Sequence, residues 1–160
     1  QTATPPGVQA VPLLTLDEVA VLPARHALAA QAVLQVQDFA NQPFVSLSAD
    51  DPYRRQIDAR FAEAGVARQL HLQTHSAVAV CAMVQQGLGL AIVNPLTALA
   101  MAGSGLVVRR LGFSVPFSIN ALLPLYRTAL PEAQPLLHCL QAQAGEVTTA
   151  LQRLLTRPSH

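Results

Sequence analysis

Residues 74–95, THSAVAVCAMVQQGLGLAIVNP, hold a polar opening (Thr74, His75, Ser76), an apolar helix-period segment closing at Gly87, and a second glycine, Gly89. A buried-type strand, LAIV, and a polar exit at Asn94 and Pro95 complete the stretch. Strand end, helix, strand and strand end follow one another within about two dozen residues, the length of one α/β crossover. A chain built around such a unit must form a sheet whose strands are separated by helices. Here the polar side chains gather only where the strands end.

The flanking sequence continues the alternation. Residues 1–9, with Pro5 and Pro6 adjacent, read as a loop or frayed end, and regular structure is expected from about Val11. A short strand at 18–22 (EVAVL) stops at Pro23; a turn and one helical turn around 36–40 precede a strand, PFVSLS, that opens at Pro43. Ser48, Ala49, Asp50, Asp51 and Pro52 together make a helix start signal, and the helix is expected over 53–64, closed by Gly65. Within it Tyr53, Ile57 and Phe61 recur at i, i+4 and i+8 as a buried stripe. Arg54, Arg55, Asp58 and Arg60 face elsewhere, with Arg54 and Arg55 most simply a solvated surface.

A strand at 69–73 delivers the chain to Thr74 and Ser76, either of which can cap the helix that follows. Asn94 and Pro95 start another helix ending at Gly103, and LVVRRL and FSINALL are two further strands. The closing segment, 131–155, is helical in pattern, with Leu136, Leu137, Leu140 and Ala144 on one face and Gly145 inviting a bend or break.

With 51% hydrophobic and 12% charged residues in 160, the chain is long and apolar enough for one folded domain. All ten basic residues are arginine, spread thinly against nine acids, and a net charge of +1 leaves no electrostatic footprint for a polyanion. Cys81 and Cys139 lie in apolar helix patterns and read as buried structural thiols rather than a disulfide. There is no basic leader with an apolar core and no uninterrupted apolar run of about 18 residues, so neither a signal peptide nor a membrane span is expected, and a reducing cytoplasm is. The sequence opens on Gln1 rather than methionine, in keeping with an N-terminal part having been removed.

In an α/β sheet with parallel strands, ligands bind beyond the carboxyl ends of the strands, where helix N-termini present unpaired N–H groups. Three polar clusters fall there: Ser46, Ser48 and Asp50 after one strand, Thr74, His75 and Ser76 after the next, and Asn94 after the third. If those strands are neighbours the clusters converge, and their short hydroxyl and amide groups suit a carboxylate or other small polar anion. Each also has a plain structural role. Thr74, Ser76 and Ser48 can serve as helix caps worth about 1 kcal/mol, and Ser46 can line the sheet.

His75 and Cys81, six residues apart with no third ligand or orienting acid, make neither a metal site nor a catalytic dyad. Gly87 and Gly89 close a helix and open a strand, the reverse of a dinucleotide-binding turn. No cofactor is implied. No nucleophile with its base and no carboxylate pair emerges, so a binding protein is expected rather than an enzyme.

The runs ARHALAAQAVLQVQDFANQPFVSLS, HSAVAVCAMVQQGLGLAIVNPLTA and VVRRLGFSVPFSINALLP resemble the effector-binding domain of LysR-type transcriptional regulators over about residues 11–150. VQQGLGLAIVNP, similar to that family's glycine-rich signature, is the most specific of them, and IVNPLTA resembles the subgroup that senses amino acids or opines. The resemblance implies a periplasmic-binding-protein-like (type 2) α/β fold of two subdomains with an effector in the cleft between them. On this chain it implies an N-terminal loop and first crossover strand in 1–24, a complete subdomain II in 25–116, and the return strand and C-terminal helix of subdomain I in 117–160, subdomain I being partial. It further implies a homodimer or tetramer that meets DNA only through a helix-turn-helix outside these residues, and a small-molecule effector such as an amino acid or small carboxylate. A solute-binding protein of a transporter, which shares the fold, is the alternative.

Overall fold

The computed structural model describes residues 4–126 and 131–156, so the part of the expected N-terminal loop at 1–3 lies outside the described residues. Strand β1 (Val8–Asp17) is followed by β2 (Val19–Pro23), a 3-10 turn at Ala27–Ala30, the two-residue β3 (Val33–Leu34), a second 3-10 turn at Val36–Phe39, and β4 (Pro43–Leu47). Then come α1 (Pro52–Glu63), β5 (Gln69–Thr74), α2 (Ala77–Gln85), β6 (Ala91–Val93), α3 (Pro95–Met101), β7 (Leu106–Leu111), β8 (Pro116–Pro124) and α4 (Ala133–Thr156).

The strands form a ribbon and a sheet. β1 and β8 pair antiparallel over most of their length. The remaining strands run in the order β3-β7-β2-β6, and β4-β5 join this sheet beside β6 through the parallel bridge Phe44↔Leu90. That seam carries two backbone hydrogen bonds, Val45 N–H to Leu90 O at 2.9 Å and Leu90 N–H to Pro43 O at 2.8 Å. Gly89 makes it possible: at φ +150° a Cβ there would sit 2.6 Å from the Pro43 carbonyl oxygen.

The all-parallel expectation holds for β6, β4 and β5 and for the β3–β7 pair, but β2 runs antiparallel to both β6 and β7. It does so because it arrives directly from the ribbon and not through a helical crossover. β1 starts at Val8 and runs through a proline. The register shifts between Pro12 and Leu14, an irregularity at the point where Pro12 has no N–H to give.

Each face of the sheet carries its own core. Ala20, Leu22, Phe44, Ile57, Phe61, Leu90, Ile92 and Val115 pack together on the α1 face. Val19, Val21, Val45, Val80, Cys81, Val84, Ala91, Val93 and Ala98 pack on the face covered by α2 and α3, with Leu154 and Leu155 of α4 against them. Alternate residues of β2, β4 and β6 feed opposite cores, as the period of two requires.

The rings of Phe39, Phe44 and Phe61 meet edge-on with centroids 5.6–6.1 Å apart, and the Arg68 guanidinium lies over two of them.

Three further expectations need correction. α4 runs unbroken through Gly145, because a single glycine costs a helix only about 1 kcal/mol. Its expected apolar face is only partly covered: Leu137 and Leu151 are buried while Leu136 and Leu140 are exposed. Cys81 is buried, but Cys139 is exposed, since its turn of α4 has little packed against it.

Candidate functional site

The three polar clusters do fall on neighbouring strand ends. Leu47 of β4 is in register with Thr74 of β5, and β6 lies on the other side of β4, so the chain leaves the sheet at Ser48, Thr74 and Asn94 along one edge. Ser48 is the centre of this row. Its N–H donates to the Thr74 carbonyl at 3.0 Å, and its Oγ is 3.0 Å from His75 Nδ1. Thr74 Oγ1 in turn accepts from the Ser76 N–H at 3.3 Å. Ser48, Thr74, His75 and Ser76 are therefore one hydrogen-bonded group.

The helix N-termini open on the same edge. Asp51 caps α1, its Oδ1 accepting from the N–H groups of Tyr53 and Arg54 at 2.8 and 3.0 Å. Ser76 Oγ caps α2 through the Ala79 N–H at 3.3 Å, and Asn94 Oδ1 caps the short α3 through Thr97 N–H at 2.8 Å. Asp50 is exposed and leaves the capping to its neighbour. Ser46 is buried two residues inside β4, on the α1 face shared by Phe44 and Ser48. Asn94 and Ser76 hold their helices and Ser46 is covered, whereas Ser48, Thr74 and His75 are at least partly open to solvent.

Sequence reasoning missed the most unusual residue of this edge. Val19 of β2 pairs antiparallel with Val93 of β6, and one more step of that register sets Glu18 opposite Asn94. Glu18 is 2% exposed, its N–H donates to the Val115 carbonyl at 2.9 Å, and its Oε2 has no partner among the described residues. Burial, with a smaller contribution from the Asp51 charge, pushes its carboxyl up to about 8. Two residues before Ala20, it faces the same core as Ser46 and Ser48. The available signal was a lone acid heading an otherwise apolar strand, EVAVL.

Arg54 was also misjudged, since it is not a solvated residue. Its buried side chain donates Nη1 to the Leu47 carbonyl at 2.8 Å and Nε to both Asp58 oxygens at 2.8 Å, and Arg68 pairs with the same carboxylate. The end of β4 is thus held by a guanidinium from the helix it feeds. Cys81 is set apart from the row, and burial pushes its thiol up to about 11, which leaves it unreactive at neutral pH. Among the described residues no group of three or more His, Cys, Asp or Glu could hold a metal ion, and no helix is long and apolar enough to cross a membrane.

This arrangement can bind a small polar molecule: hydroxyl, imidazole and helix N–H groups on neighbouring strand ends, backed by a stiff two-sided core. Comparison with known proteins agrees with that architecture. The regulatory domain of CcmR from Synechocystis PCC6803, solved in complex with 2-PG, superposes with a TM-score of 0.72 at 18% identity, covering 88% of this chain and 70% of that one. The effector-binding domain of QuiR in complex with shikimate gives 0.68 at 20% identity, covering 91% and 69%.

In sequence, the transcriptional activator protein LysR of Escherichia coli K12 is 45% identical over 153 residues, which are 96% of this chain and 49% of that protein. The chain thus spans about half the length of that relative. The family described as LysR substrate binding domain matches residues 1–145. With nine-tenths of its length inside that match, the chain belongs to the LysR substrate-binding domain family.

Proposed function

We propose that this chain senses a small polar metabolite, an amino acid or small carboxylate, for a LysR-type transcriptional regulator. The observation that carries the proposal is the hydrogen-bonded Ser48, Thr74 and His75 group lying at the N-terminus of α2, where the helix dipole favours an anionic head group, whereas the N-terminus of α1 is already taken by the Asp51 carboxylate. Residues 25–116 act as one subdomain, completed by β2 (Val19–Pro23), which lies between β7 and β6 at the centre of its sheet and so belongs here rather than with the rest of 1–24. The rest of 1–24, with 117–160, belongs to a second, whose remaining part would complete the cleft; the separation of the β1–β8 ribbon from the main sheet supports this division.

In the cytoplasm, a metabolite gripped by both subdomains favours the closed arrangement over the open one. That differential affinity is the only means by which it can alter how a dimer or tetramer sits on DNA. DNA itself is contacted by a helix-turn-helix outside these residues.

The test is a thermal-shift and calorimetric screen against amino acids, opine-like conjugates and small carboxylates, repeated with Ser48→Ala and Thr74→Ala. A ligand that stabilises the parent and loses that effect in both variants supports the reading. Unchanged binding in both variants removes the site from this edge, and consumption of the ligand during the assay identifies an enzyme instead.

A further inference from the structure

Glu18 is a buried carboxyl that the fold leaves without a partner at one oxygen. Its Oε2 is fully covered and accepts no hydrogen bond among the described residues. An ionised carboxylate in that place is a buried charge whose Oε2 has no donor, so the ionised form is the one that lacks a partner.

The charged groups near it have other partners, although among the described residues Arg68 Nη1 also makes no hydrogen bond. Arg54 is held by Leu47 O and Asp58, and Arg68 shares Asp58. Arg60 donates to Ser114 O and pairs with Glu63. Asp17 accepts from Ser114 Oγ at 2.6 Å, and Asp51 caps α1 while adding negative potential at Glu18. Arg109 of β7, opposite Ala20, donates to Ala29 O and Val108 O, and among the described residues no cation makes a hydrogen bond to Oε2. A resident metal is not indicated either, because no cluster of three or more metal-ligating side chains exists among the described residues.

We infer that Glu18 receives a primary ammonium group of the bound effector, while the Ser48, Thr74 and His75 end of the same edge takes its anionic group. The inference rests on the sensing function proposed above and narrows its ligand to molecules bearing both charges. An ammonium offers three donors and no acceptor, which matches a carboxylate oxygen lacking a partner and sitting in negative potential. Glu18 and Ser48 stand on strands separated by β6, two strand spacings of about 4.8 Å each, so the two charged groups of the ligand are read at separate places. On binding, the neutral Glu18 acid gives its proton to solvent and the carboxylate so formed pairs with the ammonium.

The experiment is titration calorimetry of the full chain with three pairs that differ at one amine: L-alanine and L-lactate, 4-aminobutyrate and 4-hydroxybutyrate, L-lysine and 6-hydroxynorleucine. For at least one pair the amine is expected to bind about tenfold or more tighter than its hydroxyl partner. Proton release should be visible near pH 7 as a dependence of the heat on the buffer's ionisation enthalpy.

Glu18→Gln, near-isosteric and checked for cooperative unfolding, should bring the two members of that pair together, whereas Ser48→Ala should weaken both alike. Equal binding of amine and hydroxyl acids by the parent chain overturns the inference while leaving the sensing function standing. So does an amine preference without proton release that survives in Glu18→Gln. If neither member of any pair binds, the sensing function fails at this edge and the ammonium site falls with it.

Discussion

The Arg54 guanidinium donates to the carbonyl oxygen of Leu47 at 2.8 Å, tying the first turn of α1 to the last residue of the strand that presents Ser48. Its side chain is 5% exposed and its carboxylate partner Asp58 is 40% exposed, so the pair is half-screened on one side only. Arg54→Ala should therefore cost about 2–3 kcal/mol in urea unfolding, chiefly from the unmade bond to Leu47 and from leaving Asp58 with Arg68 alone. Arg55→Ala, one residue along on the exposed face, should stay within about 0.5 kcal/mol. Equal effects of the two would show that the strand end does not depend on this contact.

Gly89 and Gly87 separate backbone strain from steric conflict. Both have positive φ, but a Cβ at Gly87 meets nothing within 4 Å, whereas one at Gly89 would lie 2.6 Å from the Pro43 carbonyl oxygen. Gly87→Ala should cost about 1–2 kcal/mol, the usual penalty for a left-handed alanine. Gly89→Ala should cost about 3 kcal/mol or more, because it also pushes β6 from β4. Hydrogen exchange at the Val45 and Leu90 amides provides the local measurement, with faster exchange expected in the Gly89 variant alone.

Glu18 makes stability fall as pH rises. Its carboxyl is raised from 4.5 to about 8, so between those values the folded chain binds a proton that the unfolded chain has lost. The stabilisation is complete below about pH 4.5 and is lost as pH climbs toward 8, with a slope approaching about 1.4 kcal/mol per unit. Glu18→Gln lacks this titration, so its stability relative to the parent should be greater at pH 8 than at pH 5. Parallel urea midpoints for the two proteins across that range would refute it.

Asp51 affects α1 and Glu18 by different routes. Asp51→Asn keeps an oxygen for the Tyr53 and Arg54 N–H groups, so it should change stability by less than about 1 kcal/mol, while Asp51→Ala loses the cap and about 1–2 kcal/mol. Both variants remove the charge that helps raise Glu18, so carbon-13 NMR of the Glu18 carboxyl should find its titration moved down in each. An unmoved titration would assign the whole perturbation to burial.

The alternation of strands and helices from Pro43 to Leu111 was legible because period-two and period-3.6 patterns there are punctuated by Gly65, Gly87 and Pro95. The caps at Ser76 and Asn94 were legible for the same local reason, whereas the start signal at 48–52 marked α1 without showing that Asp51 rather than Ser48 is its cap.

What escaped depends on partners distant in sequence. Pro12 argues locally against a strand, yet β8 supplies a partner whose register shifts there. Arg54 reads as a surface residue until Leu47 and Asp58 are seen around it, and Glu18 reads as an ordinary first residue of a strand until the fold buries it beside Val115. The exposure of Leu136, Leu140 and Cys139 follows from what packs on α4, which no periodicity within the helix encodes.

The backbone hydrogen bond from Glu18 to Val115 joins the two places where the polypeptide passes between the β1–β8 ribbon and the main sheet. Ser114 Oγ donating to Asp17 Oδ1 adds a second tie beside it, and the Tyr53 ring against Phe117 and Leu154 and Leu155 of α4 against the main core brace the same joint. A charge acquired or neutralised on Glu18 is therefore placed at the joint itself. The chain's sensitivity would then lie in its articulation, and the packed sheet would serve as the rigid arm that carries the movement outward.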